Sequence, residues 1–232
     1  MREAVVVVPV YKPRLEGSEL KSLLQCIHIL GNHPIIIAAP VDLDTGFYQQ
    51  VSNHEIQVIR FAEKYFTSIT GYSELLTSAH FYRSFISFKY ILIYQVDAWV
   101  FRDELSYWCQ QDYDYIGAPW IEKPPITSGK KPLVDLSERL YNKVGNGGLS
   151  LRKVKTHIRW SWLVGIIFKF LPKNEDILWT LFVPLKKPKA LHALRFAYEL
   201  NPEKSYELTD KQLPFGCHAW EKYQNEFWKN FI

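Results

Sequence analysis

Several short polar clusters in this chain follow apolar runs and carry side chains that can hold cations, phosphates or protons. The most telling is Asp97, in Gln95-Val96-Asp97 directly after the run Tyr90–Tyr94, YILIY. An acid that stops five apolar or aromatic residues sits at the edge of a sheet, at the mouth of a crevice. A carboxylate there can hold a divalent cation, which can neutralise a diphosphate leaving group. A turn or capping aspartate is the equal alternative. Pro9-Val10-Tyr11 follows Val5–Val8, and Asp42 with Asp44 follows Pro34–Ala39, so both are placed like Asp97. Glu175-Asp176 is an adjacent acid pair ahead of an apolar stretch. One of the two can act as a general base, although such pairs more commonly complement a helix dipole. Gly145-Asn146-Gly147-Gly148 lets the backbone approach a ligand closely or take positive φ. It is neither GxGxxG nor a phosphate loop, since no Gly-Lys-Ser/Thr follows, and a tight turn is the simpler use. His218 lies between aromatics, where a packed ring is commoner than a ligand. Cys217 beside it has no second Cys or His at zinc spacing, which excludes zinc.

The elements that must position these residues are legible in outline. Val5–Val8 is a β-branched run suited to a central parallel strand buried on both faces. Ser18–Leu30 has Leu20, Leu23, Leu24 and Ile27 at helical spacing, with Ser18 as cap and Gly31 as stop. Pro34–Ala39 is a second buried strand, so the first forty residues spell strand–helix–strand, the unit of a parallel sheet. Gln57–Phe61, Tyr90–Tyr94 and Tyr113–Gly117 are further strands. Gly71–Phe88 and Pro188–Glu199 read as helices, Leu151–Lys155 as the start of one, and Asn174-Glu175-Asp176 as the opening of another. Pro124-Pro125 and Gly129–Ser137 read as a polar loop and Pro214–Trp220 as a C-terminal loop. In open sheets of this kind, ligands bind beyond the carboxyl ends of the strands.

Composition narrows the field. The chain has 232 residues, 47% of them apolar and 22% charged, which is ordinary for a globular protein. Lys and Arg number 28 against 24 Asp and Glu, a net charge of +4, too mild for a nucleic-acid binder. Cys26, Cys109 and Cys217 are far apart and are expected as reduced thiols in a cytoplasmic protein. Ala4–Val10 is short and contains Pro9, so it reads as a strand and not as a secretory signal. Trp160–Leu171, with Arg159 and Lys169 at its ends, is too short to span a bilayer. It reads as a core helix or as one lying on a membrane surface.

The same clusters occur in a recognisable order. VVVPVYKP (Val6–Pro13), YILIYQVDAWVF (Tyr90–Phe101), DYDYIGAPW (Asp112–Trp120), VGNGGLSLRK (Val144–Lys153), NEDILW (Asn174–Trp179) and PFGCHAWEKY (Pro214–Tyr223) span nearly the whole chain. Together they resemble the GT-A class of nucleotide-sugar-dependent glycosyltransferases. The resemblance is strongest to a bacterial family of glycosyltransferase-like domains met among surface-polysaccharide genes. It implies a mixed, mainly parallel α/β sheet flanked by helices, Rossmann-like, in a single domain over 1–232. Residues 1–117 would form the nucleotide-binding half and 118–232 the acceptor half. It implies nucleotide contacts from Pro9, Val10, Tyr11, Asp42, Gln95, Val96 and Asp97. Asp97 matches the last acid of the DxD metal motif, and Gln95 stands where the first acid would be, leaving one carboxylate fewer. His218 matches the late histidine that completes the shell of a Mn²⁺ or Mg²⁺ ion. Asn146, Gly147 and Gly148 match the turn against the donor and acceptor sugars, and Trp120 and Trp179 offer flat faces for a sugar ring. Glu175 and Asp176 match the acid pair that supplies the base in inverting members, with Asp176 preferred.

The expected activity is transfer of a sugar, with inversion, from a nucleoside diphosphate, a UDP-sugar first, to a saccharide or lipid-linked acceptor. The expected location is the cytoplasm, with peripheral contact at the inner face of the membrane as a further expectation. Two other classes compete. A nucleotidyltransferase also needs a parallel sheet and a metal-binding Asp, but VYKPRLEGSE after the first strand lacks its Gly-rich basic loop. A non-catalytic carbohydrate-binding protein of the same shape is favoured by the incomplete acid motif.

Overall fold

The computed structural model describes residues 1–52, 56–122, 136–171 and 174–232. Its first half runs β1 (Arg2–Pro9), α1 (Gly17–Leu30), β2 (Ile35–Pro40), α2 (Gly46–Gln50), β3 (Gln57–Phe61), α3 (Ile69–Thr77), α4 (Ala79–Arg83), β4 (Phe88–Tyr94), β5 (Ala98–Val100), α5 (Leu105–Gln110) and β6 (Tyr115–Ile116). The second half runs α6 (Ser137–Leu140), β7 (Leu149–Lys153), α7 (Val154–Phe170), α8 (Glu175–Leu181), α9 (Ala190–Ala193), β8 (Ala197–Tyr198), α10 (Pro202–Leu208), β9 (Gly216–His218) and α11 (Asn225–Trp228).

The main sheet has the order β3-β2-β1-β4-β7-β6. Its first four strands are parallel, while β7 runs antiparallel to β4 and β6 antiparallel to β7. This is the mixed, mainly parallel α/β architecture expected from the sequence. The apolar runs are continuous because the sheet is covered on both faces. Ala4, Val6 and Val8 point into one core with Leu23 and Cys26 of α1. Val5 and Val7 point into the other with Leu75, Phe81 and Trp179 from α3, α4 and α8. A second sheet, β5-β9-β8, carries the C-terminal segment back to the end of β4.

Several local expectations change. Gly71–Phe88 is not one helix. Ser78 has extended backbone (φ −85°, ψ 141°) and its Oγ accepts from the Phe81 amide, so it ends α3 and caps α4. Leu151–Lys155 does not open a helix; Leu149–Lys153 pairs with β4, and α7 begins only at Val154. Pro188–Glu199 is helical only over α9, because Ala197 and Tyr198 pair with Gly216 and Cys217. That pairing also turns the expected Pro214–Trp220 loop into β9. Tyr113–Gly117 is strand only at β6. The cap expected at Ser18 is absent, since α1 starts at Gly17 with no side-chain cap. Of the expected polar loop, Pro124-Pro125 and residues 129–135 lie outside the described residues, while Ser137 opens α6.

Candidate active site

A crevice of about 1090 Å³ opens where the carboxyl ends of β1 and β4 meet the beginning of β7. Pro9 and Tyr11 enter it from β1, and Gln95, Val96 and Asp97 from β4. Asn146, Gly147 and Gly148 lie on one wall, the start of α8 supplies Glu175 and Asp176, and His218 comes from the end of β9. Trp120 also lines the crevice, packed over Gly145. These expected site residues, from six separate stretches of chain, therefore share one space. Three others do not. Val10 is buried in the core, with its amide bonded to the Ala38 carbonyl. Asp42 is exposed outside the crevice, in the turn after β2. Trp179 is fully buried and donates its indole N–H to the Leu76 carbonyl, so it is a core residue and not a sugar platform.

Backbone bonds fix the end of β4. The Gln95 amide donates to the Gly148 carbonyl at 2.9 Å, and the Ala219 amide to the Asp97 carbonyl at 3.0 Å. The turn at 147–148 needs glycine because of what lies against it. A Cβ on Gly148 would overlap the His218 ring, and one on Gly147 would run into Glu175 Oε1. The two glycines thus let the imidazole and the acid pair close on the strand end.

His218 is held between acids. Its Nε2 lies 3.0 Å from Asp97 Oδ1 and 3.0 Å from Gln95 Oε1, and its Nδ1 lies 3.1 Å from Glu199 Oε2. Burial works against the charged ring. The carboxylates of Glu199 and Asp97 outweigh it and hold the His218 pKa well above its usual value. Burial likewise opposes ionisation of Asp97, and the His218 charge and hydrogen bond more than offset it, so that carboxyl is lowered. Among the described residues no three His, Cys, Asp or Glu side chains converge as a metal cluster. Asp97, His218 and the Gln95 amide oxygen do converge. Once the ring gives up its extra proton, one carboxylate, one imidazole and one amide oxygen would suit a hard or borderline divalent cation that takes its remaining ligands from phosphate and water. Glu199, its Oε2 3.1 Å from Nδ1, would then stand behind the imidazole.

The acid pair is asymmetric. Glu175 is buried and its Oε1 accepts from Arg152 Nη2 at 2.9 Å. Arg152 is itself fully buried and donates to Ser150 Oγ, the Tyr82 hydroxyl and the Gly147 carbonyl. Asp176 has no cation partner among the described residues; its Oδ1 accepts only the Ile177 amide, at 2.7 Å. Desolvation, then the nearby Glu175 and Glu199, raise its pKa to about 7. A carboxyl poised there can exchange a proton at neutral pH. Among the described residues the buried Asn146 Nδ2 group has no hydrogen-bond partner, which leaves it as a donor on the crevice wall.

Arg152, Glu199 and Tyr72, which also lines the crevice, are not singled out by sequence reasoning. Arg152 had a misleading signal: it alternates with Leu149 and Leu151 as Ser150 does, which reads as solvent-facing, yet it is fully buried. Glu199 and Tyr72 had none, since only the tertiary fold brings them here.

Solved structures share this architecture. Core-mannan synthase A (CmsA/Ktr4) from Aspergillus fumigatus, in its Mn/GDP form, superposes with a TM-score of 0.53 at 9% identity, over 81% of this chain and 72% of that one. The glycosyltransferase GlyE from Streptococcus pneumoniae TIGR4 superposes with TM-scores of 0.57 in its apo form and 0.58 in a second structure, at 12% identity. The alignment takes in 99% of this chain, which spans only 60% of the GlyE chain. At such identities the likeness is one of fold. Comparison with curated proteins finds no match. Residues 55–218, from before β3 to the end of β9 and so including most of the crevice, match a family described as "Protein of unknown function (DUF5672)", and the chain belongs to that family.

Proposed function

We propose that this protein is a glycosyltransferase of GT-A type. It would transfer a sugar, with inversion, from a nucleoside diphosphate donor, a UDP-sugar first, to a hydroxyl of a saccharide or lipid-linked acceptor. The reading places the work in surface-polysaccharide synthesis, at the cytoplasmic face of the membrane. One observation carries it. Asp176, a carboxyl with a pKa of about 7 and no cation partner among the described residues, shares a crevice with the Asp97–His218–Gln95 group. A base and a diphosphate-holding group lining one cleft are what displacement at an anomeric carbon requires. The glycosyltransferase folds of the solved structures support the same reading.

In this account Pro9, Tyr11 and residues 95–97 receive the nucleotide, within a half that runs through Gly117. The half from residue 118 receives the acceptor, with Trp120 against a sugar ring. Asp97 and His218, with Gln95, would hold a Mn²⁺ or Mg²⁺ ion, whose charge would offset that of the departing diphosphate. Asp176 accepts the proton of the acceptor hydroxyl. That oxygen forms the new bond to the anomeric carbon, and the old glycosyl–phosphate bond breaks with its electron pair passing to the diphosphate. Arg152 holds Glu175 aside, so its carboxylate does not compete for the acceptor. Asn146 Nδ2 donates to a sugar hydroxyl.

A thermal-shift panel of nucleoside diphosphates and their sugars, with Mn²⁺, Mg²⁺ or EDTA, tests the proposal. A ligand at a hundred times its Kd stabilises the native state by about 2.7 kcal/mol. A rise with one nucleotide class, larger with metal, is expected. No rise with any nucleotide would turn the reading to a non-catalytic sugar binder.

A further inference from the structure

The helix α7 is seventeen residues long and contains no Asp or Glu. One side of it packs on α4, α3 and α8, burying Val154, His157, Ser161 and Val164. Its outer side is unusual. Lys155, Arg159, Trp162, Ile166, Lys169 and Phe170 are all exposed. At 100° per residue they fall within an arc of about 100°, so they form one stripe along the solvent face. Trp162 is 63% exposed, Ile166 48% and Phe170 84%. A soluble face normally carries mixed charge and few large apolar groups. Here three cations alternate with a tryptophan, an isoleucine and a phenylalanine. Among the described residues, none of these three cations holds an acid in an ion pair.

We infer that this stripe is a docking surface for an anionic lipid bilayer. The occupant follows from the charge. Three positive groups on one line, with no acid on the helix, complement a sheet of phosphate headgroups. Tryptophan and phenylalanine between them suit the boundary of headgroup and acyl chain, where an apolar body can leave water without stripping the cations of theirs. The core of a protein interface is depleted in charge, lysine included, whereas this face interleaves two lysines and an arginine with its apolar groups. Among the described residues no helix is long and apolar enough to cross a membrane, so the contact is of the surface-lying kind.

The placement has a consequence for the crevice. The stripe ends at Phe170, four residues before Asn174, which lines the crevice and leads into Glu175 and Asp176. Ile69, 74% exposed at the start of α3, lies on the crevice rim, and α3 packs against α7. A bilayer held along α7 therefore lies next to the end of the crevice that carries Asp176. A lipid-linked acceptor could present its hydroxyl there without leaving the membrane. Only this link to the acceptor rests on the proposed transferase activity; membrane binding does not.

The test is sedimentation of the full chain with sucrose-loaded vesicles, without nucleotide. One set is phosphatidylcholine alone and the other contains about one third phosphatidylglycerol. The protein is expected to pellet with the anionic set and stay in solution with the neutral set. Added salt should weaken binding. Trp162→Ser with Phe170→Ser, and separately Lys155→Glu with Arg159→Glu and Lys169→Glu, should each reduce binding at least about tenfold. All five side chains are exposed apart from their stems, and an unchanged circular dichroism spectrum checks the fold. Should either variant fail to fold, Trp162→Phe with brominated lipids gives the same answer: quenching of the wild type should exceed that of the variant. Protein that stays in solution with anionic vesicles overturns the inference. Unaltered binding by both variants does so too, as does a dimer in light scattering that the Trp162/Phe170 variant splits. Because no nucleotide is present, pelleting stands or falls apart from the transferase reading. A failed nucleotide shift with intact pelleting would remove only the acceptor link.

Discussion

Asp176 and Glu175 are neighbours in sequence and opposites in circumstance. Glu175 has a buried guanidinium at 2.9 Å; Asp176 has none among the described residues. Arg152→Met should therefore strand the Glu175 carboxylate in the core and cost about 3–5 kcal/mol in denaturant unfolding. Asp176→Asn should cut turnover by about a thousandfold or more while leaving nucleotide binding nearly intact. Turnover that survives would remove Asp176 as the base. The same variant has a stability signature. The Asp176 pKa is about 7 in the folded protein, above the ordinary aspartate value, so the folded state holds a proton that the unfolded chain releases. Its stabilising contribution is full below about pH 4 and is lost as pH rises through 7. Asp176→Asn should thus be the more stable protein at pH 8, by up to about 4 kcal/mol, and equal to wild type near pH 4. As a base, Asp176 must be ionised, so turnover should rise with pH to a plateau above about 7. Asn146→Ala, which removes the unpartnered amide, should raise the substrate KM about tenfold with little change in the fold.

At the scale of elements, the turn at 147–148 joins two functions. It starts β7, and it leaves room for His218 on one side and Glu175 on the other. Gly148→Ala should displace the His218 ring and weaken diphosphate binding at least about tenfold by calorimetry, with β7 still paired to β4. Unaltered affinity would show that His218 takes no part. This scale also shows what the chain could and could not disclose. β1, β2 and β4 were plain because apolar runs buried on both faces leave no periodicity to misread. The opening of α8 at Glu175 was plain for its acids. The break at Ser78 was hidden, since Ser78 interrupts a helical pattern without a Gly or Pro. β7 was hidden as well, since Leu149–Lys153 alternates as a strand but adjoins a long helix. β8 and β9 are two and three residues long, and only their pairing defines them.

On the scale of the whole molecule, the sheet order places the amino-terminal strand beside β4 and closes β7 against it from the other side. The crevice forms where the parallel set gives way to the antiparallel pair. That is why residues as distant as Pro9 and His218 share a wall, and why the candidate site was legible as scattered motifs before their meeting was. Glu199 and Arg152 escaped notice because their roles are set by what the fold brings to them: the His218 ring to Glu199, the Glu175 carboxylate to Arg152. Asp42 was misplaced for the complementary reason, since its position after β2 resembles that of Asp97 after β4 while β2 lies one strand further from the crevice. Under the proposed function this crevice breaks a glycosyl–diphosphate bond. The measurement that tests it most directly is phosphorus NMR of the products from a nucleotide sugar that the thermal-shift panel selects, incubated with wild type and with Asp176→Asn. Release of the nucleoside diphosphate by the wild type, and loss of that release in the variant, is the expected result. A nucleoside monophosphate with a sugar phosphate, or equal release by both proteins, would contradict it.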